Sequence, residues 1–283
     1  MARLLRDLDY LRVIQSDNLS QIIEANQQVK LDTEQSAQAE MISYLAQRYK
    51  VREVFSDTTV FSNSAVYFGK NLVEYTEPVY SITSSYMIGN RVVYLSKIYQ
   101  ATTNMMAGAF NAANWTFLCA DKSLFYVKLP NSEYNPETSY EVGNIVWFED
   151  KNYTALQKCK NIDPSNAAFW GTGTTYSFSG QLPTNTAYWT AGDNRNQQIV
   201  LYLIDITLYH LHSRINPRNI PDLRKERYNG NSPTDSGGAI GWLKSVAHGN
   251  VQADLPVYTP QQGLSMRYGN AATFDGPSPN MLW

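Results

Sequence analysis

The spacing of apolar residues changes character three times along the chain. From Leu4 to Phe55 it is helical: "DYLRVIQSDNLSQIIE" reads as two short helices, and "LDTEQSAQAEMISYLAQRY" as a longer one. In the longer one Ala37, Met41, Leu45 and Tyr49 recur every four residues, with Asp32 or Thr33 expected as the cap. From Ser56 to about Asp193 the runs become short, β-branched and aromatic ("AVYF", "RVVYL", "LFYVKL", "NIVWF"), parted by Asn, Gly, Ser and Pro. This pattern predicts an all-β region. Gln197 to Ser213 is apolar on nearly every side and too long for an ordinary strand, which predicts a helix enclosed by protein. Short helices are expected over Asp222–Tyr228 and Gly238–Ala247, the latter capped by Gly249 and facing inward through Ile240, Leu243 and Val246. After Pro256 the periodicity is lost. The tail keeps Tyr258, Leu264, Met266, Tyr268, Phe274, Leu282 and Trp283, enough apolar surface to lie along a partner.

The expected fold class is therefore α+β. A small helical bundle, 1–56 and 194–255, is interrupted by a β-rich insertion at 57–193 and followed by an extended arm at 256–283. The insertion repeats itself. "YMIGNRVVYLSKIYQA" (86–101) and "YEVGNIVWFEDKNYTA" (140–155) share seven of sixteen positions at an offset of 54. Each copy reads as a hairpin reversed at Ser-Lys or Asp-Lys, with a tryptophan following at Trp115 or Trp170. A shorter echo links "PSNAAFW" at Pro164 with "PTNTAYW" at Pro183.

Charge adds a constraint: the net value of -2 and the absence of a basic run argue against free nucleic-acid binding through phosphates. The 20 tyrosines and 6 tryptophans suit sheet packing or surfaces that meet proteins or sugars. Trp147, Tyr153, Trp170 and Trp189 are the candidates for an aromatic binding face, if their rings point outward. No apolar stretch is long enough to span a membrane, and the N-terminus has no secretory pattern. The cysteines, Cys119 and Cys159, match no metal spacing and are expected as free thiols. His210 and His212 diverge on a helix and cannot share a metal unaided. Motifs for nucleophilic, phosphate-binding or zinc chemistry are missing, so neither an enzyme nor a cofactor is expected.

Three stretches carry a resemblance: "ISYLAQRYKV" with Leu45, Arg48 and Tyr49; "DITLYHLHSR" from Asp205 to Arg214; and the split pair "RKERYNG" and "AIGWLKSVAHGNVQADLP". Their order and spacing resemble the phage head-completion or head-to-tail connector proteins of the Mu-like type, and more narrowly the connector ring protein of a crAss-like phage. The insertion resembles small aromatic carbohydrate-binding modules, with Asn144 where aspartate is usual. The connector resemblance implies a virion protein at the portal vertex, made in the host cytoplasm. It would form a cyclic ring of twelve copies beneath the portal and extend the DNA channel. Its partners would be itself, the portal protein, the next connector or tail protein and the capsid. Interface residues expected on this basis are Arg48, Arg214, Arg218 and Arg224 on the helical surface, with Tyr268, Phe274 and Trp283 as tail anchors. The rival expectation is a glycan-binding virion protein that attaches to a host through the insertion.

Overall fold

A computed structural model describes residues 3–23, 26–215, 217–230 and 237–257. The fold is α+β. Its helical unit contains a 3-10 turn at Asp7–Arg12, α1 (Ser16–Ile22), α2 (Gln27–Leu45), α3 (Val51–Val54), α4 (Gln197–Ile215), α5 (Asp222–Asn229) and α6 (Gly238–His248).

One core joins the two ends of the chain. Leu4, Leu5, Tyr10, Ala37, Met41, Leu45 and Tyr49 pack with Ile199, Val200, Leu203, Ile206, Leu208, Leu211, Leu243 and Val246. The helix α4 lies at the centre, against α2, α5 and α6, which explains why its sequence is apolar nearly all round. The polar Thr207 of α4 is tolerated there because its hydroxyl donates to Leu203 O at 2.7 Å. The helix α2 begins earlier than its cap residues suggested. Asn26 is the cap, accepting from the Gln28 N–H, whereas Asp32 and Thr33 lie inside the helix. The helix α6 ends at Gly249, whose φ of 80° is the left-handed conformation that favours glycine.

The insertion holds three copies of one module, where the sequence suggested two. In the second (Tyr80–Ala120) the strands are Arg91–Tyr94, Lys97–Ala101 and Trp115–Ala120, all antiparallel, with Val79 adding a parallel bridge to Val93. The third (Tyr134–Trp170) repeats this with strands Ile145–Phe148 and Lys151–Thr154, an antiparallel bridge Ala155–Trp170 and a parallel bridge Glu133–Trp147. The first has the same order in a four-stranded sheet: Thr58–Val60, Leu72–Tyr75, Ser123–Val127, Trp189–Ala191. Its hairpin turn is replaced by the whole second module, and the third module fills the span between its last two strands. The modules are thus nested.

Each module is built on the same local chemistry. A tyrosine (Tyr67, Tyr86, Tyr140) donates its hydroxyl to the carbonyl five residues back and accepts the N–H of that same residue: Ser62, Ser81 or Asn135. Four residues after it an asparagine (Asn71, Asn90, Asn144) accepts, through its side-chain oxygen, from the N–H three residues back and so closes the turn. The tyrosine stacks on an earlier ring (Phe61, Tyr80, Tyr134) at 5.7, 5.2 and 5.6 Å, and meets a tryptophan (Trp189, Trp115, Trp170) edge-on at 5.0, 5.3 and 5.3 Å. The tryptophan follows an asparagine by four (Asn111, Asn166, Asn185) whose side chain accepts from the N–H two residues on. The turns of the second and third modules lie one residue earlier than the Ser-Lys and Asp-Lys pairs. Leu95–Ser96 and Glu149–Asp150 carry positive φ at both positions, the twist that a two-residue hairpin turn demands.

The two units meet along a polar seam. Thr58 N donates to Arg3 O at 3.0 Å, Arg6 Nη1 to Lys122 O at 3.3 Å, and Asn194 Nδ2 to Lys70 O at 2.9 Å. Where the chain re-enters the helical unit, Arg195 is almost wholly buried. It makes two forked ion pairs, to Asp9 (2.7 and 3.1 Å) and to Asp193 (2.9 and 2.7 Å), and also donates to Leu4 O at 2.7 Å.

Candidate interaction surfaces

The four arginines expected at an interface divide into three cases. Arg48 is exposed but engaged: its Nη1 donates to Val246 O at 3.0 Å, closing the end of α6 beside Gly249. Arg214 and Arg218 are exposed, and among the described residues neither has a partner. Arg224 is not a surface residue. It is 9% exposed, between α5 and α4, with Nη1 enclosed and unbonded. Burial pulls its pKa below the ordinary arginine value, partly offset by Asp205. A basic cluster in sequence did not translate into a basic surface because α5 turns this arginine towards α4.

The expected aromatic face of the insertion does not form. Trp147, Trp170 and Trp189 are 4%, 1% and 1% exposed, and Tyr153 is half-buried. Trp170 and Trp189 are centres of the module cores, donating Nε1–H to Ile162 O at 3.0 Å and Gln181 O at 2.9 Å. The rings that could have stacked on a sugar are used as core, since modules this small have little else to bury. The large apolar side chains left exposed on the second module are mostly aliphatic, among them Val79, Ile82, Met87, Ile88, Leu95 and Met106, with one aromatic ring, Phe117, 54% exposed.

The histidine pair resolves into structure. His210 Nε2 lies 2.7 Å from Glu40 Oε2, and the Tyr228 hydroxyl donates to Glu40 Oε1 at 2.6 Å. Tyr228 stacks flat on Tyr209 at 3.9 Å. Glu40 thereby fastens α2 to both α4 and α5, and the His210 hydrogen bond holds its pKa below the usual carboxylate value despite partial burial. His212 points elsewhere, and burial, with Arg224 close by, lowers its pKa. Among the described residues no group of three or more His, Cys, Asp or Glu is placed to hold a metal, and no helix is long and apolar enough to cross a membrane. Both cysteines are free; burial raises the Cys119 pKa to about 11 and also raises that of Cys159, so neither is an activated thiol.

Two of the concavities among the described residues combine charged and apolar side chains on a scale that could hold a partner segment. A cleft of about 590 Å³ lies on the seam between the units, lined by Arg52, Lys70, Trp147, Asn194 and Asp254. Trp147 Nε1 is enclosed there without a partner, against Gly69, where any Cβ would sit 2.9 Å from it. A groove of about 740 Å³ runs along the helical unit between α1 and the α4–α5 corner, with His212 and Arg224 among apolar walls. Neither was legible in the sequence, since each is assembled from separate segments. Tyr268, Phe274 and Trp283 lie outside the described residues. No protein-family model and no curated protein matches the chain.

Proposed function

We propose that this chain is a virion structural protein, a head-to-tail connector subunit that forms a ring beneath the portal and extends the DNA channel. One observation carries the reading. The three stretches that resemble the connector family lie on opposite sides of the insertion, yet they converge on one core. Leu45 and Tyr49 of the first, Ile206, Leu208 and Leu211 of the second, and Leu243 and Val246 of the third pack together. Arg48 of the first stretch closes the helix of the third, and Glu40, just before the first stretch, binds His210 of the second and Tyr228 of the third. Motif residues that contact one another across the fold behave as one inherited packing unit, and such a unit without a reactive cluster suits assembly better than turnover.

On this reading the subunit binds copies of itself through a heterologous contact that closes as a ring, twelve-fold by resemblance. The portal protein lies on one side and a further connector or tail protein on the other, and DNA passes through without sequence-specific contact. The nested modules project from the ring, and their exposed apolar side chains, mostly aliphatic, suit contact with tail or capsid proteins more than sugars. The protein works by binding and sealing, at the portal vertex of the virion, after synthesis in the host cytoplasm. Cryo-electron microscopy of the portal vertex in intact particles tests this. A ring of the chain between portal and tail is the expected result. Location on fibres or on the capsid face, or absence from the particle, would overturn it and favour host attachment through the insertion.

A further inference from the structure

The groove between α1 and the α4–α5 corner is lined by the apolar Ile14, Ile22, Ile215 and Leu223, by polar side chains of α1 such as Gln21, and by Arg224. No nitrogen of the Arg224 guanidinium makes a hydrogen bond among the described residues, and Nη1 is cut off from solvent. The neighbouring carboxylate, Asp205, is already engaged by Arg227 Nη1 at 3.1 Å. An enclosed cation without hydrogen bonds is costly, and the usual remedy is a carboxylate that meets it. In the lining Leu223 and Ile215 stand 56% and 50% exposed, apolar surface beside a cation. A fitting occupant therefore carries one carboxylate beside a large apolar side chain. Residues 258–283 contain one acidic residue, Asp275, and it follows Phe274 directly.

We propose that the groove receives the Phe274–Asp275 step of a second copy of the chain, the phenyl ring against Leu223 and Ile215 and the carboxylate on Arg224. The choice of a second copy rests on the ring reading above. The contact is heterologous, groove to arm, so each subunit offers one of each and a ring can close.

The test is site-directed cross-linking with the full chain. A Gln21→Cys chain is mixed with a Thr273→Cys chain, which leaves Phe274, Asp275, Leu223 and Ile215 in place, treated with a short bismaleimide cross-linker and run on a denaturing gel, with the unsubstituted chain as the blank for Cys119 and Cys159. A cross-linked dimer is expected from the mixture and from neither chain alone. Adding Asp275→Asn to the Thr273→Cys chain should reduce it roughly tenfold or more, as expected for loss of a charge-assisted bond to a buried partner. Arg224→Gln should do the same, and because that side chain is buried, Asp275→Asn carries the test if the arginine variant fails to fold. No dimer, or a dimer indifferent to Asp275→Asn, overturns the proposal. So does an internal cross-link in the doubly substituted chain without dimer from the mixture, which would mean that the arm seats on its own copy. The cross-link is read on purified protein and the ring on particles. A cross-link without a ring at the vertex would therefore overturn the ring and leave the groove contact standing.

Discussion

Replacing Arg195 with methionine should destabilise the helical unit more than any other single change at its surface or seam. The arginine makes five hydrogen bonds of 2.7–3.1 Å to Asp9, Asp193 and Leu4 O. Methionine fills much of the same volume but leaves the Leu4 carbonyl with only the Thr58 hydroxyl at 3.3 Å and most of the Asp9 carboxylate without a partner. Asp9, whose side chain is fully enclosed, would keep only the Arg6 N–H at 2.8 Å and Arg6 Nη2 at 3.3 Å. Removing one partner of a buried ion pair costs about 3–5 kcal/mol, because the remaining charge stays buried. That is a large share of the roughly 5–15 kcal/mol that holds a typical domain folded. The variant should fold but melt early. Far-UV circular dichroism at the helical band, followed through a urea titration, measures the loss for the helical unit. The double variant Arg195→Met with Asp9→Leu should recover much of it, since the orphaned charge is then gone. Loss below about 1 kcal/mol in the single variant would refute the claim that this pair holds the re-entry point. The acid side gives an independent check. Burial alone would raise the pKa values of Asp9 and Asp193, but hydrogen bonds and the charge of Arg195 lower both below the usual 3.8. Their contribution is complete above that value and disappears as pH falls through the lower folded values, so the gap between variant and parent should narrow in strong acid.

Three other outcomes are expected. Tyr140→Phe removes a hydroxyl that both donates to and accepts from Asn135, and should cost the third module about 1–3 kcal/mol in chemical denaturation; a loss within error would mean that the loop holds without it. Gly249→Ala places a Cβ 2.5 Å from Arg48 Nη1 at a φ of 80°, which should destabilise the helical unit by about 1–2 kcal/mol in thermal melts, and the cost should shrink in an Arg48→Ala background. The lowered pKa of Glu40 means that its bonds to His210 and Tyr228 stabilise the fold above the usual value of 4.5 and fade as pH falls through the lower folded value; Glu40→Gln should therefore flatten the acid limb of a stability–pH curve, and an unchanged limb would remove this residue from the account.

The helical unit was legible because burial and period coincide in it. Ala37, Met41, Leu45 and Tyr49 are each within 1% of full burial, and the enclosed character of α4 was written in its sequence. The start of α2 was misjudged because Asp32 and Thr33, good caps in isolation, satisfy themselves inside the helix. Asp32 accepts from Gln28 Nε2 and the Thr33 hydroxyl returns to Val29 O. The first module was missed for a topological reason. Its hairpin strands, ending at Tyr75 and beginning at Ser123, are separated by another module, so no contiguous window contains them. The signal was present in smaller pieces: Tyr followed by Asn at four recurs at 67, 86 and 140, and Asn followed by Trp at four recurs at 111, 166 and 185. Arg224 and the tryptophans failed differently. Residue type indicates what a side chain is able to do, whereas the way α5 and the module sheets are turned decides what it faces. Arg195 had no signal in sequence, because two of its three partners, Leu4 O and Asp9, lie at the far end of the chain.

The nesting also sets an order of birth on the ribosome. Like brackets within brackets, the second module is the first that can close, then the third, then the first, and the helical unit is last. Its opening helices emerge with Ala37, Met41 and Leu45 uncovered, and the helix that covers them begins at Gln197. At a translation rate of about 5–20 residues per second, that interval is roughly 7–30 s. Over that interval the sticky stub becomes tethered to β modules that fold one after another, until three of them act as a bulky escort. Fusing the insertion's termini with a short linker would shorten the wait but remove the escort, and soluble yield from a cell-free translation would then report which of the two matters more.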